Sequence, residues 1–444
     1  MKHERFKFQS LDDVKQKINE LGVNIPISED LSPLSTPVKA AGITIPNRFA
    51  IQPMEGCDSD EGGKPSELTL RRYKRFAESG AGLIWAEAAA ITEEGRANPR
   101  QLMITDKNLD DYKRMVEMIK TRSMEVNGYE PKIFLQLTHS GRYSKPQGTP
   151  APLIGYNNPI LEGDTPIASE RILSDDYLRN LIEKYGVSAS LAEKAGFDGV
   201  DIKACHRYLV CELLSAFNRP GDFGGSFENR TRLLREGIAS ARSAVSSDII
   251  VTTRMNLYDG YPYPLGWGVS PNGGVEPDMS EPIELVRRFY NEYGMRIIDF
   301  TLGNPYNNPH VNRPYDVGAY EAPEHPLEGV ARACDVISQI KRAVPEMVVV
   351  SSEYSYLRQF SPYQAAGMIS GGHADLAGYG RMAFAYPEFA RDILTKGELD
   401  AKKCCITCSK CTELMRAGSV TGCIIKDQEV YLPLYQKFVQ HKDN

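Results

Sequence analysis

The sequence predicts an α/β protein, a closed (β/α)8 TIM barrel with an N-terminal helical extension and a C-terminal iron–sulfur segment. Two patterns carry the barrel. Eight short runs rich in β-branched and apolar residues recur: FAIQPM from Phe49, GLIWAEA from Gly82, IFLQLTH from Ile133, GVDIKAC from Gly199, IIVTTRM from Ile249, IIDFTL from Ile297, MVVVSS from Met347 and ADLAGYG from Ala374. Runs this continuously apolar suit strands buried on both faces. Segments with helical spacing separate them, and that alternation implies parallel strands joined by right-handed crossovers. Eight such units favour closure over an open, doubly wound sheet.

In chain order, residues 1–30 form an extension with one helix, residues 31–398 the barrel, and residues 399–444 a cysteine-rich segment. In SELTLRRYKRFAES, Leu68, Tyr73, Phe76 and Ala77 share one face, with Arg and Lys expected opposite. SDDYLRNLIEKYGVSASLAEKAG opens with Ser174 as its N-cap. ENRTRLLREGIASARSAV, EPIELVRRFYNEYG and LEGVARACDVISQIKRAV supply further helices. The Gly-, Pro- and Tyr-rich stretch from Tyr258 to Ser280 reads as a long loop after the fifth strand, where barrels shape substrate sites.

The chain has 444 residues, 41% hydrophobic and 25% charged, with a formal net charge of −6. Charges of both signs are mixed, which excludes a nucleic-acid stripe or a polybasic membrane patch. No run of eighteen apolar residues exists and the first residues lack an apolar leader core, so a cytoplasmic location is expected. Five of nine cysteines fall between Cys404 and Cys423, a clustering that favours a metal site in a reducing compartment.

Chemistry in such a barrel gathers at the C-terminal strand ends. Read in order, those ends offer Met54 and Glu55, Glu87, Gln136 and His139, Lys203 and His206, Arg254, Asn304, Ser352 and Glu353, then Gly380 and Arg381. A Gln, a Lys, a His and an Arg inside otherwise apolar runs need partners, and a ringed ligand would supply them. Gly378, Gly380 and Arg381 suit a phosphate, with close backbone approach and a bidentate cation. Cys405, Cys408 and Cys411 form C-x2-C-x2-C, and Cys423 follows after eleven residues. Three close thiolates and one remote thiolate point to a [4Fe–4S] cluster, whereas structural zinc more often uses two separated pairs. Cys404 is out of step with this set.

The motifs NRFAIQPM, GLIWAEAAAI, FLQLTHSGR, GFDGVDIKACHRYLVCELLSAFNRPGDFGGSFENRTR and ADLAGYGR, with the cysteine set, resemble the old yellow enzyme family of FMN-containing barrels. The nearest likeness is to its iron–sulfur branch, which includes 2,4-dienoyl-CoA reductase and trimethylamine dehydrogenase, and it runs from about Leu31 to Cys423. The resemblance implies FMN against Met54, Glu55, Ala88, Gln136 and Arg254, with its phosphate on Gly380 and Arg381. It implies a substrate carbonyl held by Lys203 and His206, and a proton delivered by Tyr208. The chain departs from the family in three places. Lys203 replaces a histidine, Glu55 stands where smaller residues are usual, and SSEYSYLRQFSP replaces a Gly-rich loop after strand seven.

These features together imply an ene-reductase for an α,β-unsaturated carbonyl, a bulky steroid-like enone fitting the Tyr-rich loop. Electrons would come from NAD(P)H directly, or through the cluster from a separate flavin reductase or ferredoxin-like protein. Amine oxidation like that of trimethylamine dehydrogenase, and a non-catalytic electron carrier, are the alternatives. Homo-oligomer formation is left open.

Overall fold

The computed structural model describes residues 4–440. Eight parallel strands close the barrel: β1 (Phe49–Ile51), β2 (Leu83–Ala90), β3 (Lys132–Thr138), β4 (Gly199–Ile202), β5 (Ile250–Thr252 and Arg254–Asn256), β6 (Ile297–Thr301), β7 (Val348–Ser351) and β8 (Leu376–Tyr379). All neighbours pair in parallel, and β8 returns to β1 through Ala377↔Phe49 and Tyr379↔Ile51. The fifth strand is broken at Thr253. Its first half pairs with β4 and its second with β6, so the ring closes across the break. The Thr253 hydroxyl seals the gap by donating to the Ile202 carbonyl at 2.7 Å.

Each strand is followed by a covering helix, and these run from Glu67–Ala77 after β1 to Phe389–Lys396 after β8. Ser66 and Ser174 cap their helices through side-chain oxygens, as expected for Ser174. One expected helix face is wrong in detail. Arg72 lies on the buried side of Glu67–Ala77, because Asp58 and Glu87 each meet its guanidinium at 2.7 Å. Leu68 packs instead with the C-terminal segment. The N-terminal helix, Leu11–Leu21, carries a complete Ser10/Asp13 capping box.

The barrel interior is layered. Its floor is apolar, built from Ala50, Leu83, Trp85, Phe134, Ile250, Ile297, Val350 and Leu376, and a hairpin (Val38–Ala40 with Ile43–Ile45) plugs it from below. Polar residues fill the layer above. Among the described residues, no helix is long and apolar enough to cross a membrane. The tail past Leu399 forms its own small core around Leu414, Ile424, Tyr431 and Tyr435. Asp427 ties it to the barrel by accepting from both nitrogens of the Arg71 guanidinium, at 2.8 and 2.9 Å.

Candidate active site at the barrel mouth

The polar layer beneath the mouth is closed upon itself. Arg254, on β5, pairs through Nε with Asp299 at 2.9 Å and donates from Nη2 to Gln52 at 2.5 Å. Gln52 in turn donates to Asp299 at 2.8 Å. Burial pushes the Asp299 carboxyl up to about 8, and Arg254 opposes that shift. Asp201 accepts from Gln136 at 2.6 Å, from the Trp85 indole at 2.9 Å and from the Arg254 backbone N–H at 2.7 Å.

Above this layer a cavity opens, bordered by Met54, Glu55, Lys203, His206, Tyr208, Arg254, Gly380 and Arg381. The space free of atoms there, its open mouth included, is about 1090 Å³. Eight of the ten expected catalytic and flavin-contacting residues therefore converge on it. Ala88 and Gln136 do not border it. The Ala88 carbonyl accepts from Gln101 at 3.2 Å beside a register shift in β2, and the Gln136 amide is turned to Asp201.

The KACHRYL stretch after β4 is held under strain. His206 and Arg207 both adopt left-handed backbone, with φ of 63° and 60°. This costs about 1–3 kcal/mol per residue and persists only where the surroundings impose it. Here Arg207 is locked by an ion pair to Asp259 at 2.9 Å, and the His206 N–H donates to Asn256 at 3.3 Å. The turn leaves the His206 Nε2 buried with no partner. Burial, then the cations Arg254, Lys203 and Arg313, hold this imidazole far below its usual range, so the ring is neutral.

Lys203 and Glu55, both unexpected at their positions, find each other at 2.7 Å. The Tyr208 hydroxyl donates to the same carboxylate at 3.0 and 3.1 Å, and the ammonium lies 3.6 Å from the centre of the tyrosine ring. Tyr208 and Tyr306 share a hydroxyl contact at 3.0 Å, and Tyr306 stacks on Tyr143 at 3.9 Å. Burial, then Glu55, keeps the Tyr208 phenol protonated well above its ordinary range. Tyr143 ends a short 3-10 turn (Gly141–Tyr143) and Tyr306 lies in a loop; neither carries a periodic signal, so the sequence did not mark them.

At the β7–β8 side, donors stand unused. The Arg381 Nη1, the Arg313 Nε and the Ser352 hydroxyl are buried without partners. Arg313 is pushed down to about 10 by burial and by the crowding of Arg381. Such crowding of cations is what a bound anion relieves. The glycines are required by close packing: a Cβ on Gly380 would stand 2.9 Å from the Met54 sulfur, and one on Gly378 2.5 Å from the Gln52 amide. These groups fit a phosphate-bearing flavin.

Cys405, Cys408, Cys411 and Cys423 line one adjoining cavity. Among the described residues, no three His, Cys, Asp or Glu groups lie close enough together to hold a single metal ion. Burial pushes the Cys423 thiol up to about 12, and Cys405 and Cys411 add to it. Thiolates there need a compensating positive core. Cys404 lies outside this cavity, its sulfur 3.4 Å from the Asp400 carbonyl. Arg381 and Cys411 border both cavities.

A model of the NADH:flavin oxidoreductase / NADH oxidase family matches residues 33–264. An NADPH dehydrogenase from Clostridium acetobutylicum is 32% identical over 229 residues, 51% of this chain and 63% of that protein. The chain thus spans less than two thirds of that relative. Among solved structures, 2-naphthoyl-CoA reductase superposes with a TM-score of 0.71 at 17% identity, over 92% of this chain and 58% of that one. The old yellow enzyme homologue from Zymomonas mobilis superposes with a TM-score of 0.62 at 21% identity, over 83% of this chain and 94% of that one. At these identities the superpositions speak for the barrel fold.

Proposed function

The chain belongs to the NADH:flavin oxidoreductase / NADH oxidase family, and on that premise we propose that it is an ene-reductase acting on α,β-unsaturated carbonyl compounds. The observation that carries this reading is the neutral, unpartnered Nε2 of His206, a residue that borders the same cavity as Tyr208. One donor for a carbonyl oxygen and one weak acid are the two groups that conjugate reduction asks of a protein.

Met54, Glu55, Arg254, Gly380 and Arg381 would hold FMN, which when bound supplies hydride to the β-carbon. His206 holds the carbonyl oxygen as enolate charge develops there. Lys203 is engaged by Glu55 through one contact and keeps further N–H groups for the same oxygen. Tyr208 yields its proton to the α-carbon after its hydroxyl turns from Glu55, and Tyr306 and the Glu55 carboxylate position it. The pairing of Glu55 with Lys203 also weighs against amine oxidation, since it occupies the carboxylate that a cationic substrate would seek.

Cys405, Cys408, Cys411 and Cys423 would bind a [4Fe–4S] cluster, with residues 399–444 as a distinct segment serving it. The cavity wall they share with the barrel mouth supports one-electron delivery to the flavin, from NAD(P)H or from a separate donor protein. The testing experiment is an anaerobic absorption spectrum with flavin, iron and sulfide quantified, followed by addition of a cyclic enone to the reduced protein. Stoichiometric flavin with four irons per chain, and flavin reoxidation by the enone, are expected. A colourless protein, or a reduced flavin that ignores every enone but reacts with amines when oxidised, defeats the proposal.

A further inference from the structure

The loop after β7 holds a group that the reaction does not use. Glu353 follows Ser352 at the mouth, and both of its carboxylate oxygens are buried with no hydrogen-bond partner. Its backbone is left-handed, with φ 75° and ψ 30°, a conformation costly for any residue with a side chain. It borders the same cavity as Gly378, Gly380 and Arg381, at the β7–β8 corner where barrels bind phosphate. A buried acid therefore sits among donors suited to an anion.

We propose that Glu353 shares the phosphate subsite, so that a flavin phosphate is accepted only while the Glu353 carboxyl is neutral, and loading takes up a proton. The inference rests on the flavin reading above. The charged groups acting on Glu353 are Arg332, then Arg381, Glu324 and Arg254, and the titratable Cys334 thiol is also near it. Arg254 is committed to Asp299, and Arg332 to Glu324 at 3.1 Å. Arg381 forms no ion pair among the described residues; its Nη2 donates to the Pro314 carbonyl at 3.3 Å, and its Nη1 remains open. Burial outweighs these cations and holds the Glu353 carboxyl well above the usual carboxylate range.

A neutral carboxyl can donate its proton to a phosphate oxygen, whereas an ionised one repels the phosphate. The phosphate must in turn raise the proton affinity of Glu353, since linkage is reciprocal. Raising the pH through the Glu353 transition therefore weakens FMN binding, by up to about tenfold per pH unit.

The test dilutes the flavin-loaded protein at pH 7, 8 and 9 and reads released FMN by fluorescence. This range lies above the second ionisation of a phosphate monoester, near pH 6. The wild-type dissociation constant is expected to rise with pH, while Glu353→Gln binds FMN with a flat profile. Glu353→Gly tolerates the left-handed backbone and should be flat as well, which guards against misfolding of the first variant. Riboflavin, which lacks the phosphate, should show no slope with wild type. A flat wild-type profile, or an equal slope in wild type and both variants, overturns the proposal. Failure of wild type to hold FMN at every pH overturns the flavin reading itself.

Discussion

Two histidines stand at neighbouring strand ends and differ chiefly in their hydrogen bonds. His139 follows β3, and both its ring nitrogens are engaged. Nδ1 accepts from the Gly141 N–H at 3.1 Å, and Nε2 meets the Tyr177 hydroxyl at 3.1 Å. That hydroxyl donates to Glu94 at 2.7 Å, which places the imidazole proton on Nε2. His206, less buried as a residue but likewise neutral, borders the cavity and its Nε2 is buried with no partner. Burial pushes His139 down to about 4 and also holds His206 well below its usual range, so pKa alone does not separate them. The difference teaches that unsatisfied hydrogen-bonding capacity, rather than a lowered pKa or position on the barrel, marks the side waiting for a ligand. The same contrast divides the interior into a polar layer around Asp201 and Asp299, with Arg254 at its upper edge bordering the cavity, and an unfinished rim around His206, Ser352, Glu353 and Arg381.

That division can be broken most sharply in the polar layer. Asp299→Ala removes the buried carboxyl that Arg254 and Gln52 both address and should cost about 3 kcal/mol, read by urea unfolding. A loss under about 1 kcal/mol would mean that the layer is not a structural unit. At the rim the effects should appear in rate as well. Tyr208→Phe should lower the rate of enone reduction by about 10²-fold or more with flavin reduction unchanged, and should cost about 1–3 kcal/mol of stability through the lost bonds to Glu55 and Tyr306. Equal loss in both half-reactions would place Tyr208 in flavin binding. The smallest effect sharpens the comparison itself. At pH 7, His139→Gln should cost about 1–3 kcal/mol, because it disturbs two buried hydrogen bonds. His206→Gln breaks none at the ring, so it should leave stability nearly unchanged while raising KM for the enone. Equal destabilisation by the two substitutions would erase the distinction.

The eight strands were legible because burial on both faces writes itself as continuous apolar runs. The break at Thr253 was not, since IIVTTRM reads as a single strand and the break exists only through pairing with different neighbours. His206, Tyr208, Arg381 and the four cysteines were legible from local motifs. The Glu55–Lys203 pair was not, because it joins residues 148 positions apart. Each residue looked anomalous alone and is explained by the other. Tyr143, Tyr306 and Arg313 reach the mouth from short turns and loops, where no period exposes them. Gln52 and Asp299 could have been found, as polar residues inside FAIQPM and IIDFTL that must satisfy one another within the barrel.

The plugged floor has a consequence for traffic. With the hairpin and the apolar layer stopping the lower end, the barrel is a blind alley whose occupants arrive and depart by the same door. Whatever binds there must back out before its successor enters, so a bulky occupant that lingers throttles its own replacement.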